Sequence, residues 1–290
     1  MRLEICHRTE YRYDRPLTLL PHIVRLRPGP NCRSSIETYA LAVRPDSGHL
    51  HWQQDPFGNL LARLFFPEKS RELILNVDLT LGITEINPFD FFVESEAARY
   101  PFVYPQRVRK PLALYLEPGE DGPNLRRHLE PFRGFSGDTL EFLVVLNQHV
   151  HREIKYIERF ESGVRPCEET LRRGRGACRD SAWLLVQILR HLGIAARFVS
   201  GYLLEIAADT DDVGHPPARS SDRVGLHAWT EAYLPGAGWV GLDPTTGLLT
   251  AEKHIPLAAT PVPADAAPVE GTTEPGQVQV HYESRVRRLD

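Results

Sequence analysis

Gly174-Arg175-Gly176-Ala177-Cys178-Arg179-Asp180-Ser181-Ala182-Trp183-Leu184-Leu185-Val186-Gln187-Ile188-Leu189-Arg190-His191-Leu192-Gly193 carries a glycine-containing loop into a strongly amphipathic run. Ala182, Leu185, Val186, Leu189 and Leu192 recur at three- and four-residue spacing. That period predicts a helix from about Cys178 to Leu192 with one apolar stripe, and Gly193 stands where a left-handed residue would end it. The stretch therefore puts a thiol at the head of a helix. Unpaired backbone N–H groups and the positive end of the macrodipole there favour thiolate and lower the thiol pKa below its usual ~8.5. Read alone, such a cysteine is equally well a small buried hydrophobe. Asp180, in the first turn, meets the dipole favourably, which is a structural role.

Downstream, strands are expected at Arg197 to Glu205, Leu226 to Leu234 and Trp239 to Asp243. The last two flank Pro235-Gly236-Ala237-Gly238, whose glycines permit a tight reversal, so they form a hairpin. A hairpin can bring Asp243 beside His227, where a carboxylate orients an imidazole and stabilises it as a cation. The pleat sharpens this expectation, because residues paired across strands share a face. Were Leu234 to pair with Trp239, Asp243 would oppose Thr230 and miss the face of His227. The constellation requires an odd-length connection or a bulge that sets Asp243 opposite Trp229 or Glu231.

Upstream of the helix the pattern changes. Leu3, Ile5, His7, Thr9, Tyr11 and Tyr13 alternate along one face of a strand that ends near Asp14-Arg15-Pro16, and further strands are expected at Ile23 to Leu26, Ile36 to Val43, Leu60 to Phe66 and Leu73 to Ile83. Such strands with no convincing helix predict a β-sandwich over residues 1–95. Residues 96–136 are rich in Pro, Gly and charge and read as a connecting segment with a short helix near Asn124 to Leu129. Ser136-Gly137-Asp138 then opens a helix carrying Leu140, Phe142, Leu143, Leu146 and Val150. Residues 137–255 form the second unit, and residues 206–222, acidic and then polar with two prolines, read as a mobile surface loop. Residues 256–290 read as a Pro/Ala-rich tail whose last alternating run, Val278, Val280, Tyr282 and Ser284, forms one more strand able to pack onto the first unit. The fold class is thus α+β, in two parts.

Composition narrows the partners. The formal charge of -4 and pI near 6.3 give no basic field for nucleic acid or an anionic membrane. The N-terminus lacks the apolar core of a signal peptide, and the apolar stretch at Ala182 to Leu189 is too short to span a bilayer. Cys6, Cys32, Cys167 and Cys178 lie far apart with no CxxC pair, so free thiols in a reducing cytoplasm are expected. Cys167, flanked by Pro166 and two glutamates, is expected to be inert. No HxxxH with a neighbouring Glu occurs, and His149 and His151 lie on different helix faces. No metal and no cofactor is assigned. Arg197 suits either a buried carboxylate partner or the surface, and Trp229 and Trp239 read as core or cleft-wall aromatics.

Gly176-Ala177-Cys178-Arg179-Asp180, Leu192-Gly193-Ile194-Ala195-Ala196-Arg197-Phe198-Val199-Ser200-Gly201-Tyr202, His227-Ala228-Trp229 and Trp239-Val240-Gly241-Leu242-Asp243-Pro244-Thr245 together resemble the core of the bacterial transglutaminase-like superfamily. His7-Arg8-Thr9-Glu10-Tyr11-Arg12-Tyr13, Arg25-Leu26-Arg27-Pro28 and Asp55-Pro56-Phe57-Gly58-Asn59 resemble the β-domain that precedes that core. The resemblance implies a papain-like core with Cys178 as nucleophile, His227 as general base and acid, and Asp243 as orienting carboxylate. It also implies amide or peptide bonds as substrates and a thioester intermediate; the backbone N–H of Cys178 would help to hold the oxyanion, and the second donor is not identified by the sequence, Trp183, Gln148 and Tyr156 being its candidates. A peptidase or amidase is the leading expectation, acting on a peptide, protein or small amide. An amine-accepting transglutaminase and a non-catalytic binding or assembly module that keeps the fold are the alternatives.

Overall fold

The computed structural model describes residues 1–207 and 221–289. The stretch expected to be a surface loop lies almost wholly outside those residues.

The chain opens with six strands: β1 (Arg2–Leu17), β2 (His22–Val24), β3 (Ser35–Arg44), β4 (His49–Gln54), β5 (Leu60–Phe65) and β6 (Ser70–Gly82). Two-residue strands β7 (Arg99–Tyr100) and β8 (Gly137–Asp138) bracket the short helices α1 (Gln106–Arg109), α2 (Ala113–Leu116) and α3 (Pro123–Leu129). Then come α4 (Thr139–Glu153), β9 (Lys155–Tyr156), α5 (Cys167–Arg173), β10 (Arg175–Gly176) and α6 (Cys178–His191). The remaining strands are β11 (Ala196–Glu205), β12 (Arg223–Leu234), β13 (Gly238–Asp243), β14 (Leu248–Leu249), β15 (His254–Thr260), β16 (Val269–Glu270) and β17 (Val278–Arg288). The result is a mixed α and β fold whose three larger sheets are antiparallel.

Alternation in the first strand becomes alternation in burial: Leu3, Ile5, His7 and Thr9 are buried, and Leu3 pairs with Leu81 and Ile5 with Leu79 in β6. One four-stranded sheet runs in the order β17-β1-β6-β3 and a second in the order β16-β2-β5-β4. Their inward residues, among them Leu3, Leu75, Val24 and Leu64, join one apolar cluster. The strand expected at the C-terminal end does return to β1, with Ile5 opposite Val286 and Tyr11 opposite Val280.

A five-stranded sheet in the order β14-β13-β12-β11-β15 carries the second unit. Helix α6 lies on one face of it, with Ala182, Leu185 and Leu189 in the same cluster as Ala228, Ala232 and Leu242. Leu184, Leu185, Val186, Ile188 and Leu189 have no exposed surface, and each large aliphatic side chain so buried stabilises the fold by about 1.5–3 kcal/mol relative to exposure. Thr230 Oγ1 donates to Ala182 O at 2.8 Å and fixes the helix over β12. Gly193, at φ +77°, ends the helix while Ile194 N donates back to Leu189 O at 2.9 Å. The opposite face of the sheet contributes Tyr202, Leu204, Val224, Ile255 and Leu257 to the apolar cluster of the first two sheets, so the two units share a core.

Two elements depart from the sequence reading. The boundary expected between 255 and 256 falls inside β15, a buried strand paired to β11, because the Pro- and Ala-rich composition conceals a strand that takes Pro256 opposite Gly201 and then shifts register to set Ala258 opposite Ser200. Helix α5 occupies a stretch with no apolar period; it starts directly after Pro166 and stops at Gly174, whose φ is +58°.

Candidate active site

Cys178 is the first residue of α6. Its predecessor Ala177 has no side-chain acceptor with which to cap the helix, so capping is one-sided: Asp180 Oδ2 accepts from Ala177 N at 2.9 Å. Asp180 is fully buried and does more than meet the dipole. Arg159 donates to it from Nη2 at 2.9 Å and from Nε at 3.1 Å, and Arg165 N donates at 2.9 Å. One carboxylate thus ties the 159–165 segment to the helix head. Gly176 makes this possible, since a Cβ there would sit 2.9 Å from Asp180 Cβ.

His227 and Asp243 meet through the hairpin. Leu234 pairs with Gly238, Tyr233 with Trp239 and Thr230 with Leu242, so three residues, 235–237, make the turn. Gly236 and Gly238 take φ values of +90° and +76° that other residues would resist. This odd-length connection continues the register to set Asp243 across from Trp229, one of the two positions that the pleat requires. His227, Trp229 and Asp243 then share a face. An ionised carboxylate only accepts, so His227 Nε2 donates to Asp243 Oδ2, at 3.0 Å.

Asp243 has no exposed surface and three donors. Thr245 N donates to Oδ1 at 2.8 Å, which is why the Asp-Pro-Thr string holds the carboxylate so firmly. His254 Nε2 lies 3.3 Å from Oδ2. Cys178 is a partly exposed residue whose thiol lies close enough to the His227 imidazole and to the N–H of Ala228, a residue beyond the last β12 position paired to β13, for both to favour the thiolate.

The charges follow from these contacts. Burial pushes the Cys178 thiol up, but the hydrogen bond and charge of His227, the Ala228 N–H and Arg179 outweigh it, and the net effect is downward. Burial pushes His227 down, yet Asp243 and Cys178 together lift it to about 10. Burial raises the Asp243 carboxyl, and the two imidazoles carry it far below the usual carboxylate range. Each of these contacts favours the charged form: thiolate over thiol, imidazolium over imidazole and carboxylate over acid. Cys167 differs: it is buried, and burial reinforced by Glu120 pushes its thiol strongly up.

Of the three expected second oxyanion donors, Trp183 is committed to Glu120, Nε1 to Oε1 at 2.5 Å, and Gln148 is exposed on α4. Tyr156 pairs with Gly176, two residues before the sulfur, and its hydroxyl is pushed up by burial and then by Cys178. Arg197 pairs with Glu231, Nε to Oε2 at 2.6 Å, and lies over the Trp239 ring, so both belong to the fold. Trp229 is buried with its ring against Gly201, where a Cβ would come within 2.4 Å of it.

His254 is the residue that sequence reasoning missed. A single histidine in a Pro- and Ala-rich stretch carries no spacing signal; only the pairing of β15 with β11 brings it to Asp243. His227, Asp243 and His254 place their ligand-type atoms within 4.8 Å of one another, the one such group among the described residues. The donor pattern does not suit an ion. Ala251 N donates to His254 Nδ1 at 3.3 Å, which leaves the ring hydrogen on Nε2, the atom that would have to ligate.

Residues 3–81 match the bacterial transglutaminase-like N-terminal region, and residues 129–244 match the transglutaminase-like superfamily. Over 282 residues the chain is 27% identical to the uncharacterised protein Rv2569c of Mycobacterium tuberculosis, spanning 93% of this chain and 87% of that protein. An uncharacterised protein of Mycobacterium leprae is 33% identical over 109 residues, 36% of this chain and 34% of that protein. The crystal structure of a candidate cysteine protease from Cytophaga hutchinsonii superposes with a TM-score of 0.72 at 19% identity, covering 100% of this chain and 92% of that one, which marks a common fold.

Proposed function

Since the chain belongs to the transglutaminase-like superfamily, we propose that it is a cysteine-nucleophile enzyme acting on amide or peptide bonds, with a peptidase or amidase as its working activity. The observation that carries this reading is the 3.0 Å contact of His227 with the buried Asp243, with Cys178 at the helix head beside the same imidazole, so that the thiol is held down and the imidazole held up.

In this mechanism the Cys178 thiolate attacks the carbonyl carbon of the substrate amide and a C–S bond forms. The oxyanion is met by the Cys178 N–H, which lies in a first helical turn without an intrahelical acceptor, and by the Tyr156 hydroxyl as the second donor. Collapse breaks the C–N bond while His227 passes its proton to the leaving amine. Water then adds to the thioester, His227 takes its proton, and the acid leaves with the thiolate restored. Hydrolysis is the leading branch and transfer to an amine the alternative, and the partial exposure of Cys178 leaves the site open to either acceptor. The proposal extends to a peptide, protein or small-amide substrate and to a cytoplasmic setting, in which a reducing medium keeps all four thiols unpaired.

The test is a library of peptides and glutamine amides incubated with wild type and with Cys178→Ala, with and without a primary amine. Carboxylate product that disappears in the variant supports hydrolysis by this thiol. Turnover that persists in Cys178→Ala sinks the assignment, and amine incorporation in place of acid moves it to the transferase.

A further inference from the structure

Asp243 carries a second imidazole that the proposed mechanism leaves unused. His254 begins β15, and its Nε2 stands 3.3 Å from the same Oδ2 that receives His227. Its other nitrogen accepts from Ala251 N, so the ring is fixed as an Nε2–H donor. The ring also meets the Trp229 indole edge-on, with centroids 5.2 Å apart and an interplanar angle of 79°. Trp229 in turn is pressed against Gly201 on the neighbouring strand. His254 is therefore held in place by a backbone donor and an aromatic face, and its one free donor points at the carboxylate.

Resting on the reading of Cys178, His227 and Asp243 as the reacting row, we infer that His254 is a positioning residue, whose N–H holds the Asp243 carboxylate in line with His227. Among the described residues no other side chain steadies that carboxylate: Thr245 N–H holds Oδ1, and Oδ2 receives only the two imidazoles. The titratable groups around it are Asp243 on β13, His227 on β12 and, beyond them, Cys178 on α6. His254 reaches the sulfur only through the first two. A buried carboxylate with one fewer donor is free to rotate and is costlier to keep charged, so its hold on the imidazolium weakens.

Alkylation tests this without knowledge of the substrate. Cys178 labelling by iodoacetamide at pH 6, followed by mass spectrometry with Cys6 as internal reference, is compared in wild type, His254→Leu and His254→Gln, whose amide N–H can replace the lost donor. Loss of the donor in His254→Leu is expected to slow Cys178 about threefold to tenfold at unchanged Cys6 rate, and His254→Gln to recover at least half of the wild-type rate. Equal rates in all three, or a Gln variant as slow as the Leu variant, overturn the role. Nitrogen-15 NMR of the wild-type imidazoles decides independently, even if a variant fails to fold: a hydrogen on His254 Nδ1 rather than Nε2 also overturns it. Wild-type Cys178 labelling no faster than Cys6, with His254 protonated on Nε2, would instead sink the thiolate reading of the site.

Discussion

Replacing Asp243 by Asn keeps the shape of the side chain and removes its charge. The energy at stake can be worked in two ways. Coulomb's law across the 3.0 Å contact to His227, at an effective dielectric of about 20, gives about 5 kcal/mol. Lifting the imidazole from its ordinary 6.5 to about 10 corresponds to about 5 kcal/mol as well. The sulfur shares in that lift, so only part belongs to the carboxylate. If about one third of it governs the balance between thiol and thiolate, the loss is on the order of 1–2 kcal/mol, roughly a factor of ten in the ionisation constant. A half-ionised thiol would fall to less than about one-tenth ionised, a roughly fivefold slower reaction. Asn adds a mismatch: its oxygen can face the two imidazole N–H groups or the Thr245 N–H but not both, so one amide hydrogen always confronts a donor. The assay is Cys178 alkylation at the pH where the wild-type rate is half its plateau, with exposed Cys6, whose thiol partial burial and Asp78 push up, as the slow reference. A variant whose whole pH profile superposes on the wild type, with an unchanged melting curve, refutes the coupling of Asp243 to the thiolate.

Further outcomes follow from the same geometry. Asp180→Ala leaves the buried Arg159 guanidinium without its carboxylate and frees the 159–165 segment; a loss of about 3–5 kcal/mol is expected in urea unfolding, together with slower Cys178 labelling. Gly201→Ala forces a methyl to within 2.3 Å of Ile255 O and 2.4 Å of the Trp229 ring, so thermal unfolding should show about 1–3 kcal/mol of destabilisation and a displaced His254. The pH dependence of stability has a definite sign. His227, held above its ordinary value, contributes stability that is complete below about pH 6.5 and is lost as the pH rises through about 10. Asp243, held below its ordinary value, contributes stability present above about pH 4 and lost on acidification. Between pH 7 and 10.5 the wild-type melting temperature should therefore fall more than that of His227→Gln, by roughly the loss of the raised imidazole's contribution; parallel curves would contradict it.

Much of this was legible in residues with strong periodicity. Helix α6 announces itself through its apolar stripe, and the hairpin through two glycines and the demand that Asp243 share a face with His227. What escaped had a common cause: its reason lies across the fold. Strand β15 is concealed by Pro256, which only the bulge against β11 accommodates. Strand β4 is largely exposed and lacks a clear apolar alternation. Asp180 reads locally as a dipole partner, while its ion pair with Arg159 depends on how the intervening segment returns. Trp183 looked free to serve an oxyanion until Glu120, far earlier in the chain, claimed its N–H. His254 needed two strands to be laid side by side before it had any chemistry at all.

The three-residue link between β12 and β13 has a consequence for descent. Adding or deleting a single residue there would turn the side chain of Asp243 to the far surface of the sheet while the helix and its sulfur stayed where they are. A copy of the gene could thus be silenced by one indel far from the thiol, with its folded body preserved for other uses, and the length of that link in related chains should separate working members from inert ones.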